Sequence, residues 1–217
     1  LTILGHSEGD YKPENYHPRF CFFLCLIPPC EVGGQTVIVD GVAFLEALSN
    51  RTREQFKKNK IIYEMVWDKE RWENEFSVSS IESLKQHLDN IPNVTYIIKN
   101  ETLHVRYMKS AIRSVRIEGL YREAFSNGIL ARLPEINHLK YKNLNVYSES
   151  TTQLYFENGE KFSDELINEL LDTYDKLSYL HSWEKNDVLI VDNTRYLHGR
   201  VETKKLCVRK IVSKFGY

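Results

Sequence analysis

The stretch Asp187-Val-Leu-Ile-Val-Asp-Asn-Thr-Arg-Tyr-Leu-His-Gly-Arg200 reads as a buried strand, a break and a second strand that carries a histidine. A short apolar run bounded by polar residues fits a strand covered on both faces. Asn193 ends that run, and Tyr196 to Val201 resumes extended structure. Gly199 lets another backbone come close beside His198, because it carries no Cβ.

Working outward, Leu206 to Val212 predicts a further strand at the end of the chain. Near its start, Arg19 to Ile27 predicts a buried strand that Pro28-Pro29 terminates. Val32-Gly33-Gly34 then turns the chain into a strand over Thr36 to Asp40. A helix follows from about Val42 to Ser49, and another after Asn50. Ile81 to Leu88 predicts a helix, and Val94 to Lys99 with Thr102 to Tyr107 a hairpin around Asn100-Glu101. Between Tyr107 and Tyr147 the periodicity assigns nothing. From Ser163, an N-cap followed by Asp164 and Glu165, the stripe Leu166, Leu170, Tyr174 and Leu177 predicts a long amphipathic helix. His181 is expected late in that helix or at its C-terminal end, facing solvent. Both ends of the chain are therefore β-rich. The pattern predicts an α+β domain, mainly β, in which the two sequence ends close a sheet around a helical or irregular insert. Residues 1–217 read as one domain, with no repeat or linker to divide them.

The composition excludes some functions. With 29 basic and 30 acidic side chains the net charge is -1, so no positive field attracts nucleic acid or an anionic membrane. No run reaches the about 20 apolar residues of a membrane helix. A cytoplasmic protein acting on a small molecule is expected. Cys21, Cys25, Cys30 and Cys207 read as buried free thiols rather than a disulfide framework.

His6-Ser7-Glu8 places an imidazole and a carboxylate two residues apart, on one side of an extended backbone. His-x-Glu alone is unspecific. Its weight comes from His198, which completes three ligands from a distant strand. Two histidines and one carboxylate on one face of an octahedron leave three open positions, as suits a non-haem Fe(II) that binds a co-substrate and O2 together. Arg209 supplies a cation for a carboxylate. It is read in a strand, on the face shared with Cys207 and Ile211, where burying it is costly without an anionic partner. Thr36 can donate its hydroxyl to the same carboxylate. Together they suit 2-oxoglutarate, whose oxo-acid end chelates the metal and whose far carboxylate needs a fixed cation.

In order and spacing these elements resemble the taurine dioxygenase superfamily, in its clavaminate synthase-like branch. The resemblance runs through His6-Ser-Glu-Gly-Asp-Tyr11, Pro18-Arg-Phe-Cys-Phe-Phe-Leu-Cys25, Gly33-Gly-Gln-Thr36, Trp72-Glu-Asn-Glu-Phe76, Phe125-Ser-Asn127, Trp183, Asp187 to Asn193, His198-Gly-Arg200 and Arg209. It implies a double-stranded β-helix (jelly-roll) core with helical insertions. It also implies His6, Glu8 and His198 as iron ligands, Thr36 and Arg209 as 2-oxoglutarate-binding residues, and Asn127 in the substrate wall. The activity implied is oxidation, chiefly hydroxylation, of a C–H bond, with release of succinate and CO2. Desaturation and cyclisation are alternative fates. Glutamate rather than aspartate at residue 8 is similar to the branch that oxidises amino acids and their derivatives. Family members carry several tens of residues before the His-x-Asp/Glu motif, so the resemblance implies that an early part of the domain precedes this sequence. Two rival readings are a zinc or manganese hydrolase or isomerase on a similar barrel, and a non-catalytic small-molecule-binding relative.

Overall fold

A computed structural model of the chain describes residues 2–10, 17–30, 33–133, 152–203 and 208–217. The first half runs β1 Ile3–His6, β2 Phe20–Ile27, β3 Thr36–Asp40, α1 Gly41–Ala47, α2 Asn50–Lys58, β4 Ile61–Trp67, α3 Lys69–Phe76 and α4 Ile81–Asp89. The second half runs β5 Val94–Lys99, β6 Thr102–Lys109, β7 Ile112–Ile117, β8 Leu120–Phe125, α5 Ile129–Arg132, β9 Thr152–Phe156, α6 Asp164–Leu177, β10 Tyr179–His181, β11 Val188–Asp192, β12 Tyr196–Arg200 and β13 Lys210–Gly216.

Two sheets frame the site. One has the order β1-β12-β3-β10 and the other β11-β2-β13, so both join the first strands of the chain to the last. Phe23 on β2 reaches the His198 ring on β12, with centroids 5.3 Å apart, so the sheets meet around the histidines. Among the described residues they do not close into a barrel. Strand β2 is central in its sheet, and its mid-strand cysteines Cys21 and Cys25 are fully buried. A second body of structure, the sheet β5-β6-β4-β9 with the β7-β8 hairpin, forms the insert.

The insert follows from period-2 alternation. Ile61, Tyr63, Met65 and Trp67 on β4 are all buried, while the residues between them are more open. The β5-β6 turn places Asn100 and Glu101 at positive φ, the geometry of a tight hairpin. The Trp72 indole donates to the Glu101 carbonyl at 2.8 Å and holds the turn against α3. Caps fix the helices: Asp40 accepts from Val42 N, Ser49 from Thr52 N and Ser163 from Leu166 N. Glu169 of α6 accepts from the Thr52 hydroxyl at 2.6 Å, which ties the long helix to α2. One contiguous core runs from Leu4 to Leu197.

Four expectations need correction. The run at 188–192, read as a buried strand, is the edge strand β11 of its sheet, and its Val188 and Ile190 are exposed. Among the described residues the last strand begins at Lys210, so Arg209 precedes it instead of lying within it, and its side-chain Nε donates to the Gly34 carbonyl; Leu206 lies outside the described residues. His181 is not helical. Helix α6 stops at Leu177, and β10 then pairs with β3, His181 opposite Thr36. Cys21 and Cys25 are buried free thiols as expected, but Cys30 is exposed and disulfide-bonded. Pro28-Pro29 end β2, so Cys30 falls in the turn beyond the buried run. Cys207 lies outside the described residues.

Phe56 anchors the junction of insert and frame, with ring contacts to Phe125, Phe156 and Phe162 at 5.3, 5.5 and 6.3 Å. Replacing Phe56 with Ala is expected to cost about 3–5 kcal/mol, the range for deleting a buried aromatic ring. Urea unfolding followed by circular dichroism measures it.

Candidate active site

His6 ends β1 and stands directly opposite His198 of β12. Two glycines allow this pairing to sit tight under α6. A Cβ on Gly5 would meet the Tyr174 ring at 2.5 Å, and one on Gly199 would meet the Ile3 carbonyl at 2.5 Å. The close approach expected at Gly199 is thus present. The two imidazoles lie 4.5 Å apart, centroid to centroid.

Glu8 follows in a turn, and its Oε2 stands 3.8 Å from the Nε2 of each histidine. One donor atom from each of the three lies within 4.8 Å of the others. At 3.8 Å these atoms are too far apart to hydrogen-bond. They instead surround a gap that a divalent ion with bonds of about 2.0–2.2 Å would fill. His6 Nδ1 lies 3.0 Å from the Leu4 carbonyl. A carbonyl only accepts, so Nδ1 carries a proton and Nε2 is the nitrogen turned to the gap.

The electrostatics fit that donor set. Burial disfavours a charged His6, but its pairing with Glu8 outweighs burial and raises its pKa above the ordinary 6.5. Burial, then the neighbouring His6, pushes His198 down to about 4. Burial alone would raise the Glu8 pKa, yet His198 and His6 hold its carboxyl well below the usual range. At neutral pH the group offers one carboxylate and a neutral His198.

Thr36 and Arg209 converge as a second cluster. Arg209 Nη2 is 3.4 Å from the Thr36 hydroxyl, and its Nε donates to the Gly34 carbonyl at 2.8 Å. Gly34, at positive φ, lies so close to the Arg209 side chain that a Cβ there would meet Cδ at 3.2 Å. The buried Trp183 indole donates to the Thr36 hydroxyl oxygen at 3.0 Å. Burial, then the nearby Arg200 charge, lowers the Arg209 pKa to about 10, which still leaves it a cation. Among the described residues no carboxylate pairs with it. Residues directly opposite on neighbouring strands share a face. His6 faces His198, His198 faces Ile38, and Arg200 and His181 both face Thr36. His6, His198 and Thr36 therefore lie on one face of one sheet, and Arg209 reaches Thr36 from the segment before β13.

Asn127 is placed otherwise. Its amide is engaged internally, donating to the Ala111 carbonyl and accepting from Ile129 N, both at 3.0 Å. Its backbone carbonyl accepts from Ser7 N at 3.1 Å, between the two ligands of the first motif. Sequence reasoning missed several supporting residues. Ser7 and Ser126 hydroxyls pair at 2.9 Å, and buried Asp10 takes a forked pair from Arg132 at 3.0–3.2 Å. Asn193, assigned only as a strand break, reaches Glu8. Single polar residues in loops carry no periodicity that would flag them.

Two facing sheets thus bring two histidines and a carboxylate, from opposite ends of the chain, around one gap. The chain belongs to the taurine catabolism dioxygenase TauD, TfdA family, whose model matches residues 2–211. It is 25% identical over 196 residues to the 3-((Z)-2-isocyanoethenyl)-1H-indole synthase of Fischerella ambigua (strain UTEX 1903), over 90% of this chain and 56% of that protein. Among solved structures it is similar to AAD-2 in complex with Mn(II) and N-oxalylglycine, with TM-score 0.58, 14% identity, and coverage of 99% of this chain and 68% of that one. It is also similar to asparagine oxygenase in complex with Fe(II), 2S,3S-3-hydroxyasparagine and succinate, with TM-score 0.56 and 15% identity, over 100% of this chain and 50% of that one. These likenesses show the jelly-roll fold expected from the sequence. The chain spans little more than half the length of the F. ambigua relative.

Buried His17 lies beside this site, its Nδ1 3.4 Å from the Asn193 amide nitrogen. Burial, then the Arg113 and Lys109 charges, depresses its pKa from 6.5 to about 3. The folded state thus binds fewer protons than the unfolded one between these values, so this contribution is present above 6.5 and lost as pH falls toward 3. Stability is expected to fall by up to about 1.4 kcal/mol per pH unit over that window from this group. Denaturant unfolding at pH 7, 6 and 5 should give a shallower decline for His17→Asn than for the natural chain.

Proposed function

We propose that the chain is an Fe(II)- and 2-oxoglutarate-dependent dioxygenase that oxidises a C–H bond of a small molecule, most simply by hydroxylation. The observation that carries this reading is the gap ringed by His6, Glu8 and His198, on the same sheet face as Thr36, which Arg209 reaches. Family membership supports it, as do structural relatives solved with Fe(II) and succinate or with Mn(II) and N-oxalylglycine.

His6, Glu8 and His198 would hold the iron, leaving its remaining positions for ligands from the other side. When bound, iron with 2-oxoglutarate and O2 supplies the oxidant for an unactivated C–H bond, with succinate and CO2 released. The protein's part is placement. Arg209 offers a charged fork to the far carboxylate of the co-substrate. Thr36 accepts from Trp183, so its own hydroxyl hydrogen is free to donate to that carboxylate. Phe23 packs against His198 and keeps water from that side of the ligand set. Asn127 contributes to the wall through its backbone hold on Ser7, and a direct substrate contact is not part of this reading.

For substrate class we propose an amino acid or a derivative. The F. ambigua relative is named for an indole isonitrile and the asparagine oxygenase structure holds a hydroxylated amino acid. Residues 1–217 are taken as one domain, as the continuous core supports. Among the described residues no helix is long and apolar enough to cross a membrane. A cytoplasmic setting is proposed, against which the Cys30 disulfide weighs, since cytosolic thiols are kept reduced.

The test is succinate formation from 2-oxoglutarate with anaerobically supplied Fe(II), screened across amino acids and related metabolites. His198→Ala is expected to abolish succinate production, and undiminished production would remove His198 from the metal site. Arg209→Leu should raise the 2-oxoglutarate concentration for half-maximal turnover by roughly 30-fold or more, the low end of the ~2–5 kcal/mol lost when a buried charge pair is truncated. An unchanged requirement would assign the carboxylate to another residue.

A further inference from the structure

We infer that Asn193 is a positioning residue that clamps the backbone of Glu8 and so sets where its carboxylate stands. The inference deepens the metal-site reading above and rests on it. Of the three proposed ligands, His6 and His198 are fixed by strand pairing to each other. Glu8 lies beyond the end of β1, in a turn, and has no ladder partner. Its side chain is also the most open of the three, 36% exposed against 18% for His6 and 7% for His198. Something other than the sheet must hold it.

Asn193 does this with both ends of its amide. Its Oδ1 accepts from Glu8 N at 2.7 Å and its Nδ2 donates to the Glu8 carbonyl at 3.0 Å. The same Nδ2 donates to the Pro18 carbonyl at 2.8 Å, and the residue is fully buried. A primary amide carries a donor and an acceptor side by side, as a peptide group does, so Asn193 stands where a neighbouring strand would stand. A carboxylate cannot donate, and an alkyl group can do neither.

The plainer reading is that Asn193 merely closes the β11–β12 turn. Its side chain makes no bond within that turn. The turn is closed by Arg195 N to the Asp192 carbonyl at 3.1 Å, and by Thr194 N and its hydroxyl to the Asp192 carboxylate at 3.0 and 2.6 Å. Every side-chain contact of Asn193 reaches instead to residues 8, 17 and 18. The turn thus carries two separate functions, closure by Asp192 with Thr194 and anchorage by Asn193.

The experiment uses Asn193→Ala, Asn193→Asp and, as a control in the same turn, Thr194→Ala. Asn193→Asp keeps the acceptor for Glu8 N but loses both donations, and serves if Asn193→Ala fails to fold. Two quantities are read: Mn(II) affinity, from the electron paramagnetic resonance of free Mn(II), and hydrogen exchange of the segment around Glu8 in metal-free protein. Both Asn193 variants are expected to bind Mn(II) about 10- to 100-fold more weakly, the loss that follows when a residue orienting a metal ligand is removed. Exchange around Glu8 should quicken in both, while Thr194→Ala changes neither. Natural affinity and protection in the Asn193 variants would overturn the inference, as would an equal loss in Thr194→Ala. A natural chain that binds no Mn(II) would sink the metal reading instead, and the exchange data would still judge the clamp.

Discussion

The pairing of β1 with β12 is the constraint on which the site depends. It brings residues from the two ends of the chain into one ladder and sets His6 opposite His198. A strand has period 2, so a slip of one residue would turn one imidazole to the other face. The register is protected by shape. Tyr174 lies across the backbone at Gly5 and Gly199, where any Cβ would collide with the ring or with the Ile3 carbonyl. The same ladder continues into β3, which carries Thr36 onto the face of the histidines. One hydrogen-bonded sheet thus places the two histidines and Thr36.

The sheet alone leaves the carboxylate free, and a web of polar side chains completes the work. Ser7 is tied to Ser126 and Asn127, Glu8 to Asn193, and Asp10 to Arg132. Burying Asp10 completely costs several kcal/mol before the forked Arg132 bond offsets it. Apolar residues of similar size would hold the segment with less expense. An ion pair gains direction instead: a forked pair fixes angle as well as distance. The cost is justified where the turn next to it must keep a carboxylate within bonding range of one point.

Much of this was legible in the sequence, for physical reasons that differ by element. The apolar runs at Phe20 and Val188 and the Ser163 cap declare themselves through local chemistry, and the structure places strands and a helix there. The Asn100-Glu101 turn declares itself likewise. The three proposed ligands and the Thr36–Arg209 pair stand out because their types and spacing match one chemistry. The β7-β8 hairpin does not, since Arg113, Arg116, Arg122 and Glu123 interrupt its alternation, although Glu118-Gly119 at positive φ makes its turn. His181 was misread because α6 yields to β10 over three residues, too short a strand to show a period. Asn193 and Arg132 act across more than a hundred residues, and no local pattern encodes a partner that distant.

The charges on the site face are arranged along it in opposite senses. At one end, Glu8 remains an anion although burial opposes it, because two imidazoles stand beside it. At the other, Arg209 remains a cation although burial and Arg200 oppose it. Each end carries a desolvation cost that only a ligand of opposite charge recovers. In the proposed reading a metal ion would answer the first and a carboxylate the second. The proposed co-substrate would chelate that metal through its oxo-acid end and offer Arg209 its far carboxylate.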